Sequence, residues 1–340
     1  MMRAGLSHRR AIIVGAGQAG LAVAAALIAE GLQPQQDFVV IDQNSDRRRS
    51  WDSRWHSMLL LSSARDSALP LQPLPGDQGR HPRVDEIADY LTYIESILGV
   101  DVRWGLRATG VEHHGTGTTL LLTTTDGEVQ TRNIVCATGA AAHPQMPEWV
   151  PKLTVPGVVL HSSSYLYPRQ IPDSDVVIVG GGNSGVQLAQ ELAASHKVTL
   201  AVRSPRPQRP TNKYRWAGGE SVTLLSRRRK PEPVFGIGYS QLNRVGVTIR
   251  PAVTDAVGDT VHFADGTTAT PDSVILATGF TPADEWLPDE ARSSRPRHTL
   301  TGLPGLFVAG MPQYSRRGVD TLTGVWRDAR IIARHILNRP

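Results

Sequence analysis

Short, wholly apolar runs alternate with glycine clusters and with stretches of helical period along this chain. Ile12-Ile13-Val14 is such a run, of the kind buried on both faces of a parallel sheet. A glycine cluster at residues 15–20 follows at once. Residues 21–30 then read as a helix, Gly31 as its stop, and residues 38–41 as the next parallel strand. The same order recurs downstream: residues 176–179 predict a strand, 180–185 a turn, 186–195 a helix and 198–202 another strand. This alternation predicts an α/β protein with parallel sheets.

A second pattern is repeated as well. Asp126-Gly127 leads through a β-rich run to Ala137-Thr138-Gly139, and Asp265-Gly266 leads likewise to Ala277-Thr278-Gly279. In both, Asp-Gly marks a hairpin turn. The chain therefore reads as two related α/β units, and 340 residues are enough to give each its own core. Proline-rich stretches at 69–82, 143–156 and 204–210 predict connectors or active-site loops.

Composition narrows the partners. Lys and Arg number 36 against 31 Asp and Glu, and the excess gathers in Arg47-Arg48-Arg49 and Arg227-Arg228-Arg229-Lys230. Basic runs ordinarily form solvated faces; the functional alternative places one near cofactor phosphates or an acidic substrate. No aromatic residues interleave with them, so nucleic acid is not an expected partner. Cys136 is the only cysteine, which excludes an internal dithiol and fits a reducing cytoplasm. The apolar stretch at 11–29 imitates a signal peptide or a membrane span, but its period breaks at Gly15, Gly17, Gln18 and Gly20. No targeting segment and no membrane association are expected.

The chemistry lies in the two glycine clusters. Gly15-Ala16-Gly17-Gln18-Ala19-Gly20 is a full Gly-x-Gly-x-x-Gly between a strand and a helix. The first glycine makes the tight turn, the second admits a pyrophosphate to the backbone, and the third lets helix and strand pack closely. The helix N-terminus adds free N–H groups and a positive dipole. Asp42, with Gln43 beside it, ends the next strand, where a carboxylate accepts hydrogen bonds from a ribose diol. In the second cluster Gly180, Gly182, Asn183, Ser184 and Gly185 are expected to hold another dinucleotide. The strand after it ends in Arg203-Ser204 with no acid, which favours NADPH over NADH, because arginine pairs with a 2′-phosphate. Two nucleotide sites on one chain imply electron transfer between two cofactors.

Taken together, these motifs resemble the class B flavoprotein monooxygenases over nearly the whole chain. Arg54-Trp55-His56-Ser57-Met58-Leu59 and the residues up to Leu69-Pro70 are similar to a stretch that lies against the flavin ring in compact bacterial members. Residues 84–91 resemble the helix that follows it. Gly157, His161 and Tyr165 match the family fingerprint Phe-x-Gly-x-x-x-His-x-x-x-Tyr, with Val155 at its first position. Residues 305–310 and 322–329 resemble the part that returns to the FAD domain, with a helix N-terminus near Leu322 and Gly324 facing the flavin. The resemblance implies two Rossmann-like dinucleotide-binding domains, the NADPH domain inserted in the FAD domain. Residues 1–168 and 282–340 would bind FAD and residues 169–281 NADPH.

For FAD, the resemblance adds Trp51, Arg54, Ser62, Val111, Ala137, Thr138, Gly139, Gly310, Leu322 and Gly324 to the first glycine cluster, Asp42 and Gln43. For NADPH it adds Ala277, Thr278 and Gly279. His161, Tyr165 and Ser62 are the candidates for a catalytic role, and no metal-ligand cluster is found. Three departures stand out: Arg48-Arg49-Ser50-Trp51 replaces Gly-Gly-x-Trp, Asp42 replaces the commoner Glu, and Gly310-Met311 replaces a Gly-Asp pair. The expected activity is NADPH-driven monooxygenation through a C4a-(hydro)peroxyflavin, with O2 and a small molecule bearing a nucleophilic N or S centre as substrates. Tyr165 in place of Trp favours this over Baeyer–Villiger oxygenation of ketones. A flavin reductase or oxidase on the same scaffold and, behind it, a non-enzymatic nucleotide-binding protein stay open, as does a homodimer. The substrate pocket is expected from loops at 51–74, 205–238 and 313–320, with Tyr214, Trp216 and Phe235 in the middle one and Tyr239 directly after it.

Overall fold

The computed structural model describes residues 6–7, 9–115, 118–172, 174–211, 232–293 and 299–339. The Arg227–Lys230 run, Tyr214 and Trp216 lie outside these residues.

Two five-stranded parallel sheets organise the chain. The first joins β1 (Ala11–Val14), β2 (Phe38–Asp42), β3 (Arg103–Trp104), β7 (Ile134–Cys136) and β20 (Leu306–Val308) in the order β20-β7-β1-β2-β3. The second joins β9 (Val159–His161), β10 (Asp175–Val179), β11 (Lys197–Val202), β14 (Thr248–Pro251) and β18 (Ser273–Leu276) in the order β14-β11-β10-β18-β9. All four residues of β1 are buried, as are the four of β18, because helices or a second layer cover both faces of each sheet. In each sheet the motif-bearing strand, β1 or β10, lies between neighbours on opposite sides. That is the topological switch point where a crevice opens at the strands' carboxyl ends.

An antiparallel meander backs each sheet. The first is β4 (Ala108–His113), β5 (Leu120–Thr124) and β6 (Gly127–Thr131); the second is β15 (Val253–Val257), β16 (Thr260–Phe263) and β17 (Thr268–Ala269). These are the two Asp-Gly hairpins of the sequence, at 126–127 and 265–266. On the other face of the first sheet lie α1 (Gln18–Ala29), α2 (Val84–Ile97) and α6 (Val325–Asn338). On that of the second lie α3 (Asn183–Leu192) and α4 (Tyr239–Arg244). A short α5 (Asp289–Ser293) and a two-stranded pair, β12 (Gln208–Arg209) with β13 (Val234–Phe235), complete the described chain.

β8 (His143–Pro144) and β19 (Phe280–Thr281) pair antiparallel where the units meet, and so bring the two Ala-Thr-Gly turns together. Thr278 Oγ1 donates to the Gln145 carbonyl (2.5 Å), and Thr138 Oγ1 donates to the Ala283 carbonyl.

Two boundaries differ from the sequence reading. Both motif helices start three residues earlier than expected, at Gln18 and Asn183, because Gly20 and Gly185 belong to the first helical turn rather than to the loop. A Cβ on either would collide with the carbonyl oxygen of Gly15 or Gly180, so the helix can begin at the second glycine only if the third has no side chain. The second sheet also takes its edge strand, β9, from before residue 169. Val159, Leu160 and His161 pair in register with Val274, Ile275 and Leu276. A three-residue strand among prolines gives too short a signal to be read locally.

Candidate functional site

A cleft of about 550 Å³ opens at the carboxyl edge of the first sheet. Gly15 adopts φ 112°, and a Cβ there would strike the Ala137 carbonyl, so the turn after β1 tolerates only glycine. Gly17 is different. A Cβ on it would meet nothing within 4 Å, so its backbone faces open space at the N-terminus of α1. An open backbone at a helix N-terminus suits a pyrophosphate, and FAD fits the cleft on this ground. Asp42 lines the cleft from the end of β2; its carboxylate accepts from the backbone N–H of Ala16 (2.8 Å) and of Asn44 (2.9 Å).

Most of the expected FAD residues are gathered here. Gln18, Ala19, Gln43, Trp51, Arg54, Ala137, Thr138, Gly139 and Gly310 all line the cleft. Trp51 Nε1 donates to Gln18 Oε1 (2.9 Å), and Gln18 Nε2 donates to the Asp320 carbonyl (2.5 Å), which ties the ring to the motif and to the C-terminal return. Gly310 supplies backbone alone, since the following Met311 is buried in the core.

Four expected residues lie elsewhere. Ser62 bonds Ser67 (Oγ to Oγ, 2.7 Å) in a loop whose Leu69 and Leu74 are core residues, and it does not line the cleft. Val111 points into the core behind the sheet, and Leu106 and Ala108 from the same stretch face the cleft in its place. Leu322 is buried, and the Gly324 N–H donates to Thr321 Oγ1 (3.0 Å). Asp320, just before them, is the residue that lines the cleft.

The departure at Arg48-Arg49 is explained by Arg49. Its side chain is buried, with Nε donating to the Ala16 carbonyl (2.8 Å), Nη1 donating to Thr92 Oγ1 (3.1 Å) and Nη2 paired with Glu95 of α2. The guanidinium also lies 5.2 Å from the Trp104 ring centroid. Where a glycine would leave a flexible turn, Arg49 clamps the glycine loop to α2 and β3. No local spacing announced it.

The second cradle repeats the first. Gly180 has φ 125° under the Ala277 carbonyl, and Gly182 opens α3. Asn183 holds its own neighbourhood together, with Nδ2 donating to the Pro233 carbonyl (3.2 Å) and Oδ1 accepting from Phe235 N (2.9 Å). Tyr239 donates to the Gly181 carbonyl (2.6 Å), so it braces the cradle from α4. The Arg206 guanidinium stands over Gly182, with Nη1 3.4 Å from where a Cβ would be. Arg203 and Ser204 are exposed, and Arg203 has no hydrogen bond or ion pair among the described residues. A helix N-terminus with Arg206 above it, and with Arg203 at the end of the neighbouring strand, fits a phosphorylated dinucleotide such as NADPH.

The fingerprint residues hold the link. Gly157 passes so close to β18 that a Cβ would lie 2.6 Å from the Asp272 carbonyl oxygen. The Ser163 N–H donates to His161 Nδ1 (3.2 Å), which leaves the proton on Nε2, and Nε2 donates to the Gly279 carbonyl (3.1 Å). Burial holds this imidazole below the ordinary histidine range, so it is neutral and both nitrogens are engaged. Tyr165 is fully buried in the core of the second sheet with Trp55. Burial and the nearby Glu191 carboxylate raise its phenol well above the usual range. Neither residue lines the cleft. Ala277, Thr278 and Gly279 belong to the same link. Cys136 is buried, and burial pushes its thiol up to about 12, so it stays protonated. Among the described residues no cluster could hold a metal, and no helix is long and apolar enough to cross a membrane.

Comparison with known proteins accords with this arrangement. The family profile described as pyridine nucleotide-disulphide oxidoreductase matches residues 12–310. An uncharacterized oxidoreductase CzcO-like of Geobacillus kaustophilus is 28% identical over 96% of this chain and 98% of that protein. Indole-3-pyruvate monooxygenase YUCCA1 of Oryza sativa subsp. japonica is 27% identical over 96% and 91%. The structure of a flavin-containing monooxygenase from Stenotrophomonas maltophilia superposes with a TM-score of 0.78 at 26% identity, covering 96% and 97%. The chain belongs to the pyridine nucleotide-disulphide oxidoreductase family; it is a flavin-dependent enzyme, and FAD and NADPH are its cofactors.

Proposed function

We propose that this member of the pyridine nucleotide-disulphide oxidoreductase family is a monooxygenase that transfers one atom of O2 to a nucleophilic nitrogen or sulfur centre of a small molecule. FAD, held by residues 15–20 and Asp42, would supply the redox chemistry, and NADPH at residues 180–185 the electrons. The observation that carries the reading is the content of the cleft. Among the described residues it is lined by neither histidine nor lysine. Its Asp42 is occupied by two backbone amides, and its Glu285 is within 3.6 Å of Arg107 and 3.2 Å of His143. A cleft whose only cationic side chains are arginines offers no amine or imidazole to act as a base, and this suits a substrate whose own lone pair attacks. The likeness to the flavin-containing monooxygenase of Stenotrophomonas maltophilia supports the same class. With a single buried, protonated cysteine, the chain is unsuited to the dithiol chemistry in the family's name.

The protein's part is to bind and orient. Trp51 and Gln18 fix the wall beside the glycine loop, and the β8–β19 ladder with His161 joins the two cradles. The test is product mass after turnover with NADPH under 18O2, across a panel of thioethers, amines and ketones. Incorporation of one 18O atom into thioethers or amines is expected. NADPH oxidation that yields only hydrogen peroxide across the panel would identify a flavin oxidase or reductase and overturn the reading.

A further inference from the structure

Four arginines line the cleft among the described residues, and three of them have carboxylate partners. Arg48 pairs with Asp46 (3.3 Å), Arg49 with Glu95, and Arg107 with Glu285 (3.6 Å). Arg54 has no such partner. Its side chain makes no hydrogen bond or ion pair with the described residues, and its guanidinium faces an aromatic ring instead. The guanidinium carbon lies 5.5 Å from the centroid of Phe280, at the link between the two sheets. A ring holds a guanidinium in place without using any of its five N–H donors. Burial lowers the pKa of this arginine, and among the described residues no carboxylate pairs with it.

A partly buried, unpaired guanidinium carries a desolvation cost that acceptors bound beside it would offset. The three paired arginines show how the same cleft satisfies its other cations from within. At Arg54 no described side chain supplies the compensating charge, and a bound oxyanion would. We propose that Arg54 is an anion subsite at the link end of the cleft, receiving a carboxylate or phosphate oxyanion of a molecule bound there. Its planar fork matches either group with two parallel hydrogen bonds. The subsite restricts the substrate class to acids if the oxyanion belongs to the substrate. It secures the nucleotide at the link if the oxyanion is a dinucleotide phosphate. This deepens the monooxygenase reading and rests on it for the identity of the cleft.

The test is equilibrium binding to the oxidised holoenzyme, without turnover. The probes are (phenylthio)acetate, its neutral analogue (phenylthio)acetamide, and NADPH, each titrated by calorimetry into wild type, Arg54→Gln and Arg54→Lys, with flavin content measured in parallel. Losing a charge-assisted pair is expected to weaken the affected anion about 10- to 100-fold in Arg54→Gln, with partial recovery in Arg54→Lys. A loss confined to (phenylthio)acetate assigns the oxyanion to the substrate. A loss confined to NADPH, or a loss of retained flavin, assigns it to that dinucleotide. Unchanged affinities and flavin content in a folded Arg54→Gln protein overturn the subsite. If Arg54→Gln does not fold, Arg54→Lys decides by the same comparison: a geometric fork replaced by a point charge should still weaken the anion several-fold, and no change overturns the proposal. None of these readouts requires oxygenated product, so a failed 18O experiment leaves this result standing on its own.

Discussion

His161 donates from Nε2 to the carbonyl of Gly279 at 3.1 Å, across 118 residues of chain. This bond fastens the strand entering the second sheet to the turn leaving it. Within the fingerprint, Gly157 allows the close pass, His161 ties the link, and Tyr165 sinks into the core. Replacing His161 with Ala should cost about 1–3 kcal/mol from the lost bonds, and differential scanning calorimetry would measure it. Flavin content should be unchanged. Because the folded imidazole is held below its ordinary value, its contribution is present above the unfolded pKa and is lost as pH falls through the folded one. The stability difference between wild type and His161→Ala should therefore shrink on acidification.

Gly17 and Gly20 should respond in opposite ways to the same change. Gly17→Ala fills the open cradle, so the protein should fold with a near-normal Tm yet retain little FAD. Gly20→Ala drives a methyl group into the Gly15 carbonyl and should abolish folding or lower Tm steeply. Flavin absorbance and circular dichroism on both variants would separate the two.

Arg49 predicts a larger effect than a surface arginine would give. Arg49→Met strands the Glu95 carboxylate and the Ala16 carbonyl, a loss of roughly 3–5 kcal/mol with a weakened hold on FAD. Arg49→Lys should recover part of the stability but not all of it, since an ammonium cannot reach Ala16, Thr92 and Glu95 together. Urea denaturation and flavin release would report both.

The two arginines of the second cradle should divide the dinucleotide between them. Arg203→Ala should raise KM for NADPH roughly 10- to 100-fold while leaving NADH unaffected, the loss of a 2′-phosphate pair. Arg206→Ala, over the start of α3, should raise KM for both. Steady-state kinetics with each cofactor would show it.

Asp328 sets a pH dependence of its own. Its side chain is buried, Ser315 donates to Oδ1 (2.8 Å), and Oδ2 has no partner among the described residues. Burial raises the carboxyl to about 6 from its ordinary 3.8. The folded state thus binds the proton more tightly than the unfolded one. Its stabilising effect is full below pH 3.8 and is lost as pH rises through about 6. Above that, the ionised carboxylate should cost on the order of 3 kcal/mol. Asp328→Asn should accordingly raise Tm at pH 8, raise it about half as much at pH 5, and change it little below pH 3.8.

The sequence alone determined the two glycine cradles, their strands and helices, and the α/β class. Each of these is written in residues a few positions apart: the first turn of a helix and the end of a strand are local, and so are their signals. The turn after β1 and the placement of Asp42 needed no more than that. Only the tertiary structure decided which side chains share the cleft. Asp320 reaches Gln18 across 302 residues, and Arg49 reaches Glu95 across 46. Val111 and Ala108 lie on one short strand and both join the core, yet only packing against the sheet decided that Ala108 also lines the cleft and Val111 does not. The surroundings of His161 were decided in the same way. A histidine at the right spacing reads as chemistry, and the Gly279 carbonyl that makes it a tie is brought to it only by the pairing of β9 with β18.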